Sequence, residues 1–223
     1  MNREWNKVFI IGIQRTGTSY IKNLLKSQEL KILDFNKYGI FDLAIKDKLS
    51  INKFIVDHSK ADGAKDAPWF LIYEYLDKSY PNSKFILTTR KDSDTWFRSF
   101  DYHTMRGNKR HRWHVLVNNL HIYKRPIPHT NEEYFKLFYE NHNNNVREYF
   151  KDRPNDLLDV CVSDKNLISN LSDFLDINIP LDVEVKNSPV NYDKYEELCK
   201  KAEENYIQFY WSIPLIKTRH GLK

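Results

Sequence analysis

Short apolar runs alternate along this chain with longer segments whose apolar residues recur at helical spacing. The apolar runs predict strands, and the last three are continuous enough to be buried on both faces of a sheet; the runs cover 7–12, 31–34, 53–57, 84–89 and 157–162. The helical patterns cover 69–80, 131–150, 166–177 and a final amphipathic stretch at about 192–213. Because strands and helices alternate, the sequence predicts an α/β fold in which helices flank a central, mostly parallel sheet of about five strands.

The composition is that of a chain able to bury a full core. Of its 223 residues, 41% are hydrophobic, so length and apolar content fit a single α/β domain over 1–223. One stretch, 101–130, carries six Lys or Arg residues against a single Asp. We interpret it as a basic insertion or lid within that domain, and a solvated basic loop is the alternative interpretation.

Charge, hydropathy and cysteine content narrow the class of protein. The formal net charge of +5 comes without a nucleic-acid-binding motif, so no nucleic-acid partner is expected. No apolar run reaches the length of about eighteen residues that indicates a membrane span. Cys161 and Cys199 are too few for a disulfide framework and favour a cytoplasmic protein. The histidines of 101–130 lack the short repeated spacing of zinc ligands, and we expect no metal.

The stretch GIQRTGTS, residues 12–19, has the glycine spacing of a phosphate-binding loop but lacks its lysine. Such loops read G-x-x-x-x-G-K-[ST], and Thr18 stands where the lysine would be. A strand pattern precedes the loop and a helical pattern follows it, so backbone N–H groups and the positive end of the helix dipole can bind a tetrahedral anion. Arg15 is the only cation in the loop, and a structural glycine turn is the alternative interpretation.

A second anion-binding candidate lies in KFILTTRKDSDTWFRS, residues 84–99. The predicted strand is followed directly by Arg90, and the helical pattern after it carries Ser99. Both side chains are therefore expected at the carboxyl edge of the sheet, where ligands of open α/β folds bind. A guanidinium group can hold a phosphate through two parallel hydrogen bonds, so this pair suits a second phosphate.

Together, the two motifs resemble those of the P-loop sulfotransferases that use 3′-phosphoadenosine 5′-phosphosulfate (PAPS). The similar branch of that family has a P-R-T-G-T-[ST] loop and a second motif K-[FV]-I-L-T-x-R-D-x-x-x-x-W-x-x-S, which appear here as QRTGTS and KFILTTRKDSDTWFRS. The resemblance covers most of residues 7–190 and implies a three-layer, P-loop-like fold. Gln14 departs from it, because the family usually has proline there.

The resemblance implies a PAPS-dependent sulfotransferase that needs no metal and releases adenosine 3′,5′-bisphosphate. It assigns the 5′-phosphosulfate to the loop, and the residues concerned are Arg15, Thr16, Gly17, Thr18 and Ser19. It assigns the 3′-phosphate to Arg90 and Ser99. Because Arg15 replaces a lysine common in other sulfotransferases, it is also a candidate catalytic residue.

Sulfuryl transfer needs a base for the acceptor's proton, and the resemblance points to Asp66. Where cytosolic sulfotransferases have a histidine followed by Leu-Pro, this chain has Asp66 in KDAPW. An aspartate just before a helix start is equally a common N-cap, so a structural role stays open. His58, near the end of the predicted strand 53–57, is the second candidate for the base.

Three functional classes follow from these residues. The leading one is a sulfotransferase acting on a hydroxyl or amine of a small-molecule or glycan acceptor. The second is an ATP-dependent kinase, which the missing loop lysine disfavours. The third is a nucleotide-binding module without catalysis, which the aspartate in place of a histidine keeps open. The acceptor and the oligomeric state are not determined by the sequence.

Overall fold

Five short strands and seven α-helices make up the described part of the chain. The computed structural model describes residues 3–34, 53, 55–106, 109–180 and 190–211. The strands are β1 Val8–Ile10, β2 Ile32–Leu33, β3 Gly63–Lys65, β4 Lys84–Thr89 and β5 Leu157–Cys161. The helices are α1 Thr18–Ser27, α2 Tyr73–Ser79, α3 Ser93–Met105, α4 Lys109–Tyr123, α5 Glu132–Phe150, α6 Leu167–Leu175 and α7 Tyr192–Trp211, with a 3-10 turn at Trp69–Leu71.

The strands form one parallel sheet in the order β2-β3-β1-β4-β5. Helix α1 connects β1 to β2, and the segments that contain α2 and α3 to α5 make the later crossovers. Parallel strands need crossover connections of this kind, which explains why strands and helices alternate along the sequence. The prediction of an α/β fold with a mostly parallel sheet of about five strands is confirmed.

Side chains alternate across the sheet and give it two apolar faces. Phe9 and Phe85 point to one face, where they pack with residues of α2, α3 and α5. Val8 and Ile86 point to the other, where they pack with residues of α1 and α6. Because both faces are covered by helices, the strands read as continuous apolar runs rather than as alternating ones. The molecule is therefore layered as helix, sheet and helix.

The predicted strand at 53–57 is wrong. Residue 53 and residues 55–58 are helical, and Lys53 pairs with Asp57 one turn later at 2.6 Å. A short apolar run fits a half-buried helix as well as a strand, and among the described residues of this pattern only Val56 is fully buried. The strand of this region is instead β3, which begins at Gly63. A Cβ atom at Gly63 would lie 1.7 Å from the Val8 carbonyl oxygen, so glycine permits the close pairing with β1.

The basic segment 101–130 is largely helical in its described part. Residues 101–105 are the last turns of α3, and α4 follows from Lys109. A small apolar cluster joins this region to α7 through Met105, Leu116, Ile127 and Ala202. The carboxylate of Asp101 reinforces that junction, because it accepts a hydrogen bond from the Tyr195 hydroxyl at 3.1 Å.

Candidate active site

The loop predicted to bind an anion connects β1 to α1 and has a strongly constrained backbone. Gly17 is the N-cap of α1 and has a φ of 100°, which favours glycine. A Cβ atom there would lie 2.3 Å from Val162 Cγ2, so the packing against the end of β5 also requires glycine. The first intrahelical bonds run from the N–H groups of Tyr20 and Ile21 to Gly17, so the N–H groups of Thr18 and Ser19 precede them. They are geometrically available to an anion.

Thr16 shapes the loop from within. Its hydroxyl is fully buried, donates to the Ile13 carbonyl at 2.6 Å and lies 2.7 Å from the Thr88 hydroxyl of β4. Its N–H also bonds to the Ile13 carbonyl, at 3.2 Å. Both of its donors are used inside the loop in this structure, and a contact of Thr16 with the ligand stays a prediction. Thr16 fixes the loop to the neighbouring strand.

The structure brings the loop and the second motif together. Arg15 Nε donates to Ser99 Oγ at 3.3 Å, and Arg90 Nε donates to the Arg15 carbonyl at 2.8 Å. The Arg90 N–H in turn donates to the Tyr139 hydroxyl at 2.9 Å. Residues that are 75 and 84 positions apart in the chain thus meet at the carboxyl edge of the sheet.

Aromatic residues of α3 and α4 hold the loop from behind. The Trp96 indole N–H donates to the Gln14 carbonyl at 2.9 Å, and the ring stacks between Phe100 and Tyr139. The Tyr123 hydroxyl donates to the Gln14 side-chain oxygen. Gln14, which stands where the resembling family has proline, thereby ties the loop to α4. A proline at position 14 could not accept this hydrogen bond, so Gln14 gives the loop a contact with α4 that proline would not provide.

Positive charge accumulates around Arg15. Burial, together with the like charges of the nearby Arg106 and Arg90, lowers the pKa of Arg15 to about 10. Burial also lowers the pKa of Arg90 below its ordinary value. Arginine still carries its charge at neutral pH, so Arg15 lies near two like charges, which the negative charge of Asp66 offsets in part. An anionic ligand would relieve this repulsion. Arg106, from the basic segment, is a residue of the site that sequence reasoning did not single out.

Asp66 and Lys65 lie beside the start of α1. Thr18 Oγ1 donates to Asp66 Oδ1 at 2.9 Å, and Lys65 Nζ donates to Asp66 Oδ2. Lys65 Nζ also donates to Ser19 Oγ at 3.3 Å and pairs with Asp34 at 3.0 Å. Burial alone would lower the pKa of Lys65, but the charges and hydrogen bonds of Asp66 and Asp34 raise it above the ordinary value. Sequence reasoning did not single out Lys65.

The carboxylate of Asp66 does not cap a helix. The 3-10 turn that follows has Pro68 as its N-cap and no side-chain capping bond, and only the Asp66 backbone carbonyl contributes, to the Phe70 N–H at 3.3 Å. Asp66 and Arg15 have φ values of 64° and 73°, in a region that costs a non-glycine residue about 1 to 2 kcal/mol. Glu29, Lys60, Asn82, Lys124 and Asp176 share this backbone region, so the positive φ does not by itself mark the site.

His58 lies at the opposite edge of the sheet from the loop. It is exposed and precedes β3 by five positions, on the helical segment that replaces the predicted strand. Lys7, the residue just before β1, holds the segment between His58 and β3, because its Nζ donates to the Ala61 carbonyl at 2.6 Å. Because the strands are parallel, the segment that carries His58 lies at the amino edge of the sheet, whereas Arg15 and Asp66 follow strands at the carboxyl edge. The structure thus separates His58 from the other candidate residues.

A cavity of about 400 Å³ opens beside Arg90, between the end of β4 and helix α5. Its wall includes Lys91, Arg147 and Asn143. The Asn143 side-chain oxygen is buried, and no hydrogen-bond partner for it occurs among residues 3–34, 53, 55–106, 109–180 and 190–211.

His142 is a second residue that the sequence did not reveal. Its Nε2 lies 2.8 Å from the Ile11 carbonyl at the start of the loop, and its ring meets Phe70 edge-on. Burial lowers the pKa of His142 to about 4, so the ring is neutral at pH 7. His142 supports the backbone from which the loop begins and does not face the charged side chains.

Asp101, His129 and Cys199 form a group whose potential metal-ligand atoms lie within 4.8 Å of one another. The Asp101 carboxylate bonds through Oδ2 to His129 at 3.0 Å and to Tyr195 of α7, while its buried Oδ1 has no hydrogen-bond partner among the described residues. We assign no metal to it. Within the part of the chain that the structure describes, no helix combines the length and the apolar character needed to cross a bilayer.

The sequence matches one known protein family over most of its length. The family model is that of the sulfotransferase domain, and it matches residues 7–191, which include every described strand of the sheet and both candidate anion-binding motifs. A search of curated proteins finds no match to this chain. Because the family model covers well over half of the 223 residues, the chain belongs to the sulfotransferase domain family.

Proposed function

We propose that this protein transfers a sulfuryl group from PAPS to a hydroxyl or amine of a small-molecule or glycan acceptor. The observation that carries the proposal is the contact between the loop and the second motif, where Arg15 bonds to Ser99 and Arg90 bonds to the Arg15 carbonyl. PAPS carries two separate anionic ends, a 5′-phosphosulfate and a 3′-phosphate. Two adjoining cationic sites at one sheet edge suit such a donor.

The loop is assigned to the 5′-phosphosulfate. The N–H groups of Thr18 and Ser19 and the left-handed turn at Gly17 form the anion-binding start of α1, and Arg15 adds a charged donor. Arg90 and Ser99 are assigned to the 3′-phosphate, with the adjacent cavity available to the remainder of the nucleotide. No metal is needed in this assignment, because the charge on the donor is met by guanidinium groups and backbone amides.

Asp66 is assigned as the base. The acceptor oxygen attacks sulfur, the bond from sulfur to the 5′-phosphate oxygen breaks with its electron pair on that oxygen, and the acceptor proton moves to Asp66. Each carboxylate oxygen has two lone pairs, so Asp66 keeps acceptor capacity beyond its bonds to Thr18 and Lys65. The products are the sulfated acceptor and adenosine 3′,5′-bisphosphate. Arg15 stabilises the charge that develops on the leaving group.

Helix α4 and the end of α3 are assigned to the acceptor side. Arg106 is near enough to Arg15 to lower its pKa, and Tyr123 bonds to Gln14 of the loop. The basic segment 101–130 therefore borders the donor site and serves as a lid within a single domain over 1–223. The two-cysteine composition supports a cytoplasmic location.

The kinase alternative makes a different demand on Ser19. In magnesium-dependent loops the hydroxyl at this position binds the metal, and the preceding lysine reaches the phosphates. Here the Lys65 ammonium lies 3.3 Å from Ser19 Oγ, and Thr18 replaces the loop lysine. A second cation placed at that hydroxyl would meet an existing positive charge, which favours a donor that binds without magnesium.

Transfer from radiolabelled PAPS tests the proposal. Purified protein is incubated with the donor and separate panels of phenols, alcohols, amines and glycans. We expect label in one acceptor class and an equal amount of adenosine 3′,5′-bisphosphate. Transfer of the terminal phosphate from magnesium-ATP to an acceptor would support the kinase instead. Tight donor binding without transfer to any class would support the module without catalysis.

A further inference from the structure

Gln14 is the residue at which the loop departs from the motif that it otherwise matches, and its side chain is held in one orientation. Its Oε1 accepts a hydrogen bond from the Tyr123 hydroxyl, and its backbone carbonyl accepts one from the Trp96 indole. Tyr123 is fully buried, and its ring packs edge-on against Phe100 and Phe138. Because the hydroxyl is fixed in this way, the oxygen end of the Gln14 carboxamide faces α4.

The nitrogen end of that carboxamide is open. Gln14 is partly exposed, and its Nε2 has no hydrogen-bond partner within the part of the chain that the structure describes. An amide NH2 group carries two N–H donors and no charge. Gln14 therefore offers two neutral donors at the start of the loop.

These donors lie on the side of the loop that borders the proposed acceptor site. The Arg15 side chain bonds to Ser99 of the second motif, whereas the Gln14 side chain bonds to α4, which is assigned to the acceptor side. Burial and the nearby charge of Asp66 both raise the pKa of Tyr123, so the contact between Tyr123 and Gln14 is close to the proposed base. An acceptor that reaches Asp66 therefore passes beside the Gln14 amide.

The chemistry of transfer limits what this amide can usefully bind. The reacting oxygen gives its proton to Asp66 and a lone pair to sulfur. An N–H donor on that same oxygen would make it a weaker nucleophile, so the amide serves catalysis better on a neighbouring oxygen of the acceptor. Carboxylates form their strongest hydrogen bonds with cationic donors, whereas an uncharged amide suits a hydroxyl or ether oxygen.

We propose that Gln14 binds a second, uncharged oxygen of the acceptor, next to the reacting hydroxyl, and so selects sugars and other polyols over phenols and simple alcohols. The inference rests on the proposed function and narrows its acceptor class. It makes Gln14 a specificity-determining residue, and the proline that the resembling family has at this position could not supply the donor.

Matched acceptors that differ by one hydroxyl test the assignment: a vicinal cyclohexanediol with cyclohexanol, and a methyl glycoside with its monodeoxy analogue. Transfer from radiolabelled PAPS gives kcat/KM for each. In the unmodified protein we expect kcat/KM to be about tenfold higher for the member with the additional hydroxyl, through one neutral hydrogen bond. Gln14→Leu should lower kcat/KM for that member about tenfold and change the other by less than about threefold.

Gln28→Leu is the matched control. Gln28 is the C-cap of α1, at the opposite end of that helix from the loop, so its loss should leave the preference unchanged. Gln14→Leu also leaves the buried Tyr123 hydroxyl without its acceptor. The double variant Gln14→Leu with Tyr123→Phe removes both partners and serves if the single variant does not fold.

Loss of the preference in either variant, with PAPS affinity unchanged, supports the contact. The assignment of Gln14 is overturned, and the proposed function left intact, by a preference that survives the substitution, by an equal loss for both members of a pair, or by a loss of PAPS affinity that accounts for the loss of turnover. Equal transfer to both members by the unmodified protein, or transfer to phenols alone, has the same meaning. Absence of transfer from PAPS to any acceptor overturns both.

Discussion

Replacement of Arg90 by alanine is the substitution whose effect the structure defines best. Arg90 follows β4, is half-buried, and uses its Nε–H to support the Arg15 carbonyl. The remaining guanidinium donors face the edge of the sheet where the 3′-phosphate is assigned. The variant therefore removes two things: a small support to the loop and the proposed contact to one phosphate of the donor.

The two contributions differ in size. A charge-assisted hydrogen bond contributes about 1.5 to 3 kcal/mol, and two parallel ones on a partly exposed phosphate total about 3 kcal/mol, which is roughly a hundredfold in affinity. The bond to the Arg15 carbonyl is a single backbone contact, and its loss is expected to cost about 1 kcal/mol, or roughly fivefold. A nucleotide without a 3′-phosphate loses only the support that Arg90 gives to the Arg15 carbonyl.

Calorimetric affinities for adenosine 3′,5′-bisphosphate and 5′-AMP measure the two effects separately. For Arg90→Ala we expect a loss of about five-hundredfold for the bisphosphate, which loses both contributions, and about fivefold for 5′-AMP, which loses only the loop support. Lys151→Ala is the control, since Lys151 carries the same charge on an exposed side chain just after α5 and does not line the cavity. It should change either affinity by less than about threefold, as an exposed charge in water is strongly screened. Equal losses of both nucleotides in Arg90→Ala would refute the assignment of the 3′-phosphate.

Three further outcomes are expected. Asp66→Asn should keep PAPS affinity within about threefold and lower the rate of transfer by about a hundredfold or more in a radiolabel assay; unchanged turnover would remove Asp66 as the base. Gly17→Ala should lower the free energy of unfolding in urea by about 2 to 4 kcal/mol, because the added Cβ meets Val162 at a φ of 100°. Burial lowers the pKa of His142 to about 4, so the unfolded state binds the proton more readily and stability falls as pH drops from about 6.5 toward 4. Between pH 7 and 5 the unmodified protein should lose about 2 kcal/mol more than His142→Gln, and equal losses would contradict the burial of a neutral ring.

The strands at 84–89 and 157–162 could be predicted because they are apolar on both faces, a pattern that parallel strands covered by helices require. The run at 53–57 has the same appearance over fewer residues and folds as a helix, since periodicity does not separate a short buried helix from a strand. Strand β3 had no such signal. Its sequence GAK contains no β-branched residue, and it becomes a strand because Gly63 fits against Val8.

The outline of the candidate site could likewise be predicted from local sequence patterns. Glycine spacing and a strand-to-helix context locate a loop, and Arg90 follows a strand that can be recognised. The contact of Arg15 with Ser99 joins residues 84 positions apart, and local patterns carry no information on it. Lys65 is next to Asp66 in the chain, yet its importance comes from burial and from Ser19, 46 positions away. Thr16 is the opposite case. Its residue type predicts a contact with the ligand, but its buried hydroxyl bonds within the loop.

Selective binding of the donor nucleotide is the central claim, and calorimetric titration of the purified protein with adenosine 3′,5′-bisphosphate tests it most directly. Magnesium-ATP and 5′-AMP are titrated at the same salt concentration, because contacts between charges depend on ionic strength. Tight binding of the bisphosphate, with 5′-AMP weaker by about a hundredfold and no requirement for magnesium, is the predicted result. Preference for magnesium-ATP, or equal affinity for the bisphosphate and 5′-AMP, would contradict it.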